Sequence, residues 1–177
     1  MKLNKIMLAA AMTFGSLSMA QAANQGGGQI SFSGSIIDAP CSIANESLKQ
    51  DIQLGAISNA MLKTGKHSTP VDINIKLENC EFGETAKKNN VTVTFTGNAA
   101  AEDSKMLALT GNSSDAGIMF EDQSGTKLNL GSASQSVKLA GDQTLNFKAY
   151  VQATKSSSPS ITPGDFTAVA NFQMAYE

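Results

Sequence analysis

The chain has 177 residues, 16% of them charged, which fits one ordinary domain and is short for two. Lys supplies all 13 positive charges against 15 Asp and Glu, so the net charge is −2 and the basic, Arg-bearing stripe of a nucleic-acid binder is missing. One His and two Cys leave too few ligands for a zinc site, so no metal or other cofactor is expected.

The chain opens with Lys2 and Lys5, an apolar run from Ile6 to Leu17, and the small-residue site Ala20-Gln21-Ala22. This is the pattern of a secretory signal peptide cleaved after Ala22. The run is shorter than the ~20 apolar residues a spanning helix needs, so no membrane span is expected. Removing 22 residues leaves 155, with 11 Lys against 15 acids and a net charge of −4. Export places Cys41 and Cys80, 39 positions apart, in an oxidising compartment. A disulfide is the default there, and the chain-entropy relation gives a loop of that size about 4 kcal/mol. The competing reading is a redox thiol, which a C-x-x-C spacing would favour, and the chain has none.

Residues 24–28 read as a flexible Gly-rich leader. Ile30, Phe32, Gly34 and Ile36 then alternate with Ser31, Ser33 and Ser35, which predicts a strand that Pro40 ends. Ile52 and Leu54 predict a short strand, and residues 56–64 a short helical turn. Val71, Ile73, Ile75 and Leu77 alternate with Asp72, Asn74, Lys76 and Glu78, the clearest half-buried strand. Val91, Val93 and Phe95 follow. Shorter strands are predicted at 106–109, 118–120, 128–130 and 137–139. Leu145, Phe147, Ala149 and Val151 mark another, and a last strand carries Phe166, Ala168, Ala170, Phe172, Met174 and Tyr176 on one face. Turn signals such as Gly97-Asn98, Ser124-Gly125 and Gly141-Asp142 separate these runs. Many short strands with no long helical period predict an all-β antiparallel sandwich.

Catalytic chemistry finds little support. His67 lies in a polar loop, no G-x-S-x-G occurs, and a solvated loop histidine is the blander reading. Glu102-Asp103 and Glu121-Asp122 are adjacent, so on a strand their side chains point to opposite faces. No catalytic residue is assigned and an enzyme is not expected.

The two ends are unusual. Gly34 sits on an apolar face, where a glycine weakens a strand unless a backbone must approach closely. The last strand runs to the end of the sequence with Phe172, Met174 and Tyr176 in alternation, leaving an edge to be covered. First and last strands could pair with each other in an ordinary sandwich, and periodicity does not reject that.

With these residues in view, the chain resembles the pilins of Gram-negative chaperone–usher fimbriae, P-type major pilins most closely and type 1 pilins more distantly. The resemblance rests on residues 25–34, on 37–43 around Cys41, on Leu77-Glu78-Asn79-Cys80, and on 163–166 with 168–176. Gly164 is the fourteenth residue from the end and Tyr176 is penultimate, a pairing typical of the family. The resemblance implies an immunoglobulin-like sandwich lacking its last strand and completed by donor-strand complementation. It divides the chain into a signal peptide (1–22), an N-terminal donor extension (23–36) and a pilin domain (37–177). Ile30, Phe32, Gly34 and Ile36 would be the donor residues, with Gly34 at the place where only a bare backbone fits. Gly164, Phe166, Phe172, Met174 and Tyr176 would form the acceptor groove, which also receives the chaperone. Expected partners are identical or related pilin subunits, a periplasmic chaperone and the outer-membrane usher. The expected role is a structural subunit, the major rod pilin, exported through the periplasm to a cell-surface fimbria. A minor pilin (adaptor or terminator) or a small sugar-binding adhesin domain is the alternative.

Overall fold

A computed structural model describes residues 27–83, 88–111, 115–155 and 159–177. The signal-peptide reading of 1–22 lies outside the described residues. The chain divides into two units, residues 1–36 and residues 37–177.

In the first unit, residues 27–36 form no strand. Alternation alone predicts one at Ile30–Ile36, but a strand exists only where its backbone groups find a partner chain. Ile30, Phe32 and Ile36 are exposed, Phe32 at 90%.

The second unit runs β1 (Ser42–Ile43), α1 (Asn45–Leu48), α2 (Asn59–Lys63), β2 (Val71–Glu78), β3 (Asn90–Gly97), β4 (Leu107–Ala108), β5 (Thr110–Gly111), β6 (Ala116–Asp122), β7 (Lys127–Leu128), β8 (Val137–Lys138), β9 (Gln143–Ala153), β10 (Phe166–Thr167) and β11 (Ala170–Tyr176). One sheet has the order β1-β2-β9-β6-β4, with β7 also paired to β6. A second has the order β11-β3-β8, and β10 pairs β5. All strand pairs are antiparallel.

The inward rows of these sheets make the core. Ile73, Ile75 and Leu77 on β2 alternate with exposed Asp72, Asn74 and Lys76, as their period of two requires. They meet Phe147 and Leu145 on β9 and, across the sandwich, Val91, Val93 and Phe95 on β3. The Phe95 ring stacks on Phe120 at 4.5 Å and meets Phe147 edge-on at 5.2 Å. Such aromatic pairs add about 0.5–1.5 kcal/mol beyond their buried area. A smaller cluster of Met106, Met119, Tyr150 and Ala100 is also buried. There the exposed His67 ring lies 4.4 Å from Tyr150. Burial pushes the Tyr150 hydroxyl well above its usual pKa, and the nearby Glu121 carboxylate adds to the shift.

Buried serines act as strand surrogates. The Val93 N–H donates to Ser134 Oγ (2.9 Å) while the Ser134 N–H donates to the Val93 carbonyl (2.8 Å). Ser68 makes the same exchange with Val151, its Oγ accepting at 2.9 Å. Each satisfies backbone groups that would otherwise be buried without partners. Cys41 and Cys80 form a disulfide, joining the segment before β1 to the residues just after β2.

Two further sequence expectations are corrected. Ile52 and Leu54 lie in a segment without a ladder, although burial still alternates along it. The predicted single strand from Phe166 to Tyr176 is broken at Ala168-Val169, because β10 pairs β5 whereas β11 pairs β3. Two glycines permit that crossing: a side chain at Gly97 would meet the Val169 carbonyl at 2.9 Å, and one at Gly111 would strike Asp165. The short α1 helix was not expected. The helical turn expected at 56–64 is α2, whose Met61 N–H donates to Ser58 Oγ at 3.4 Å.

Candidate functional site

The unusual feature of the second unit is β11. Its seven residues, Ala170-Asn-Phe-Gln-Met-Ala-Tyr176, contain no charge and no proline. Those are the usual devices that stop an edge strand from recruiting another chain. Yet β11 is the edge of its sheet, paired only to β3 among the described residues.

The register shows what that edge presents. Phe172 faces Phe95, Met174 faces Val93 and Tyr176 faces Val91. Asn90 and Glu177 exchange both backbone bonds, at 2.9 and 3.0 Å. Bonded and non-bonded pairs alternate along an antiparallel ladder, so Ala175, Gln173 and Asn171 also bond inward to β3. Tyr176, Met174, Phe172 and Ala170 therefore direct their N–H and C=O groups toward the open edge. Three of these four residues also turn large apolar side chains toward the core. Those side chains are only half-buried, whereas Phe95, Val93 and Val91 opposite them are 1–4% exposed. The row is thus fully covered on β3 and only half-covered on the edge strand.

An apolar groove of about 1130 Å³ opens beside this edge. One wall is the unpaired segment carrying Ile52, Leu54 and Ile57; the other carries Gly164, Phe166, Ala168 and Phe172. The floor is core: Ile73, Phe95, Ile118, Phe120 and Val151. Exposed Leu48 and Val169 sit on the rim. Of the groove residues expected from sequence, Gly164, Phe166 and Phe172 line this cavity. Met174 and Tyr176 continue the same face of β11 beyond it, with the Tyr176 hydroxyl donating to Met174 Sδ at 3.9 Å. Partial burial raises the Tyr176 pKa.

Sequence reasoning missed the second wall. Ile52 and Leu54 were legible as alternating apolar positions, but nothing local places them across from Phe166. It also missed a clamp at the groove's approach. Asp115 has a positive φ of 54°. Its Oδ2 accepts the Ser160 N–H at 2.9 Å and its Oδ1 accepts from Lys155 Nζ at 3.1 Å. The Ser160 N–H first, then the Lys155 ammonium, hold the Asp115 carboxyl below its usual range. This fixes the start of the chain that leads into Gly164 and Phe166. Among the described residues no cluster of acids, His or Cys could hold a metal ion, and no helix is long and apolar enough to cross a membrane.

Residues 30–177 match the family model described as "Fimbrial protein". The chain is 47% identical to the Fimbria A protein of Serratia marcescens, over 100% of both chains. It is similar to a subunit in a solved chaperone–usher pilus, with 33% identity and a TM-score of 0.74, covering 86% of this chain and 97% of that one. It is also similar to the P pilus rod subunit, with 33% identity and a TM-score of 0.69, covering 78% of this chain and 100% of that one. The chain belongs to the fimbrial protein family, as a structural pilin of the chaperone–usher type and not an enzyme.

Proposed function

We propose that this pilin polymerises head-to-tail, residues 23–36 of one copy supplying the strand that β11 of the next copy lacks. The observation that carries this reading is the coincidence on β11. Phe172, which lines the groove, and Met174 and Tyr176, which continue its face, are also residues that turn their backbone groups to the open edge. An added strand meets both needs at once. Its main chain completes the ladder, and every second side chain enters the groove.

Residues 30–36 fit that demand. Ile30, Phe32 and Ile36 are exposed apolar groups at a spacing of two, with Gly34 among them. Four positions at that spacing match the four outward-bonding residues of β11, Ala170 to Tyr176. Burying each large apolar side chain contributes roughly 1.5–3 kcal/mol. A donor at one place on the subunit and an acceptor at another make a heterologous contact, which propagates as an open filament unless rotation closes it. The chain is thus read as a rod subunit of a surface fimbria. Before assembly the same groove is held by a periplasmic chaperone, which yields it to the next subunit at the outer-membrane usher.

The test separates the two halves of the site. Deleting residues 23–36 from the mature chain is expected to leave capture by the chaperone intact and abolish addition to the next subunit. Fibres of normal yield from the deleted chain would refute the donor role.

A further inference from the structure

The outer face of the six-stranded sheet carries an ordered charge row. Asp72 on β2 stands opposite Lys148 on β9, Lys148 opposite Glu121 on β6, and Glu121 opposite Lys127 on β7. Their neighbours in each strand (Ile73, Phe147, Phe120 and Leu128) point into the core, so all four charged side chains point outward. Asp72, Lys148 and Lys127 are exposed and Glu121 is half-exposed. The signs alternate −, +, −, + across four adjacent strands, about 14 Å at the usual strand spacing. The flanking rows are uncharged: Asn74 opposite Asn146 on one side, and on the other Tyr150 opposite Met119, a pair buried with Met106 and Ala100 that bounds the open face.

This row is not used up within the subunit. The ion pairs among the described residues join Lys76 to Glu46 and Glu78, Lys88 to Asp38, and Lys155 to Glu102 and Asp115. None includes a member of the row. Lys127 Nζ stands 5.9 Å from the Tyr150 ring centroid, and Glu121 lies beside Tyr150.

We propose that this face is a lateral association surface, and that its partner is the same face of a second copy of this chain. An alternating row of even length is complementary to its own reverse. A two-fold axis parallel to the strands lays Asp72 against the partner's Lys127, and Lys148 against the partner's Glu121, each contact occurring twice. The opposite arrangement, with the row unreversed, sets like charge against like. The row therefore selects one orientation as well as one partner. Each exposed ion pair is weak, so one such face holds nothing together. Repetition along a fibre changes that, because many faces engage once the first has docked. The proposal rests on the polymer reading for that repetition, and it predicts that fibres align side by side.

The experiment uses whole fibres, scored by electron microscopy for yield and by low-speed sedimentation for bundling. Wild-type fibres are expected to bundle near 0.01 M salt and to separate well above 0.1 M, as the screening length falls from about 30 Å to 10 Å and below. Lys148→Glu places glutamate against the partner's Glu121, and Glu121→Lys places lysine against the partner's Lys148. Each variant alone is expected to give single fibres in normal yield. Mixing the two fibre preparations is expected to restore bundles, because the glutamate at 148 then meets the lysine at 121 of the other fibre. A charge pair acting only within one subunit cannot be rescued by mixing. The proposal is overturned if wild-type fibres do not bundle, if either variant alone bundles like wild type, or if the mixture stays dispersed. Should either variant yield no fibres, Asp72→Lys and Lys127→Asp make the same test with the outer contact. Failure of wild-type subunits to form fibres would be a failure of the donor-strand reading instead, so the two are told apart by yield.

Discussion

Replacing Phe32 with Ala isolates the donor interaction from the stability of the subunit. Phe32 is 90% exposed in its own chain, so truncating it costs the isolated fold nothing measurable. On the donor-strand reading, its value arises only when it enters the groove of the next copy, whose floor of Ile73, Phe95, Ile118 and Phe120 is apolar. There the change behaves as a core Phe→Ala substitution. The lost transfer energy and the cavity left behind together cost about 3–5 kcal/mol. At 1.4 kcal/mol per decade, each subunit junction should weaken by roughly two to three and a half decades. Fibres of the variant, made at equal subunit level, should depolymerise at lower denaturant and faster than wild type. Ser33→Ala, one residue away on the opposite face, is the control and should leave the midpoint in place. If Phe32→Ala fibres resist denaturant as well as wild type, Phe32 does not occupy a pocket and the reasoning is wrong.

Other outcomes follow from the same geometry. Gly34→Leu should block fibre formation while leaving the chaperone complex intact; normal fibre yield from it would contradict a close backbone approach at that position. Met174→Pro removes an N–H that points to the open edge and spares the bonds to β3, whose β11 partners are the odd-numbered residues. It should therefore stop strand addition more completely than Met174→Ala, with fibre counts as the readout; equal effects would mean that the edge backbone is not used. The Asp115 clamp gives a pH window. Its lowered pKa means that its contribution is present above the usual aspartate range and is lost as pH falls through the lowered value. The Lys155 pKa is raised, chiefly by its hydrogen bond to Asp115, so its contribution is present below the usual lysine range and is lost as pH rises through the raised value. The protection factor of the Ser160 amide, its exchange rate divided into the intrinsic rate at each pH, should be highest between those limits and fall beyond either, and Asp115→Asn should flatten that profile.

The parts legible in the sequence were those with a local cause. The period of two along 71–77 and 91–95 states which side of each strand is buried, and the structure buries Ile73, Ile75, Leu77, Val91, Val93 and Phe95 accordingly. The single cysteine pair is bonded as expected. Ile52 and Leu54 show the limit of periodicity. It reports which side of a segment faces the core, and burial does alternate there, but a strand also needs a paired backbone. Phe166 to Tyr176 reads as one run because its apolar period is unbroken. The break at Ala168-Val169 comes from two different partners, β5 and β3, which are distant in sequence. The serines at 68 and 134 could not be found, since an Oγ that accepts from Val151 or Val93 is set by tertiary approach alone. The row Asp72, Lys148, Glu121 and Lys127 was hidden for the same reason, because it exists only once three strand registers are known.

The central claim is that β11 of one subunit is completed by residues 30–36 of another. The most direct measurement is a structure of the native fibre at side-chain resolution. It should show an extended strand from the neighbouring copy bonded to the backbone of Phe172, Met174 and Tyr176, with Phe32 in the groove. Residues 30–36 found on their own subunit, or anywhere other than that edge, would contradict it.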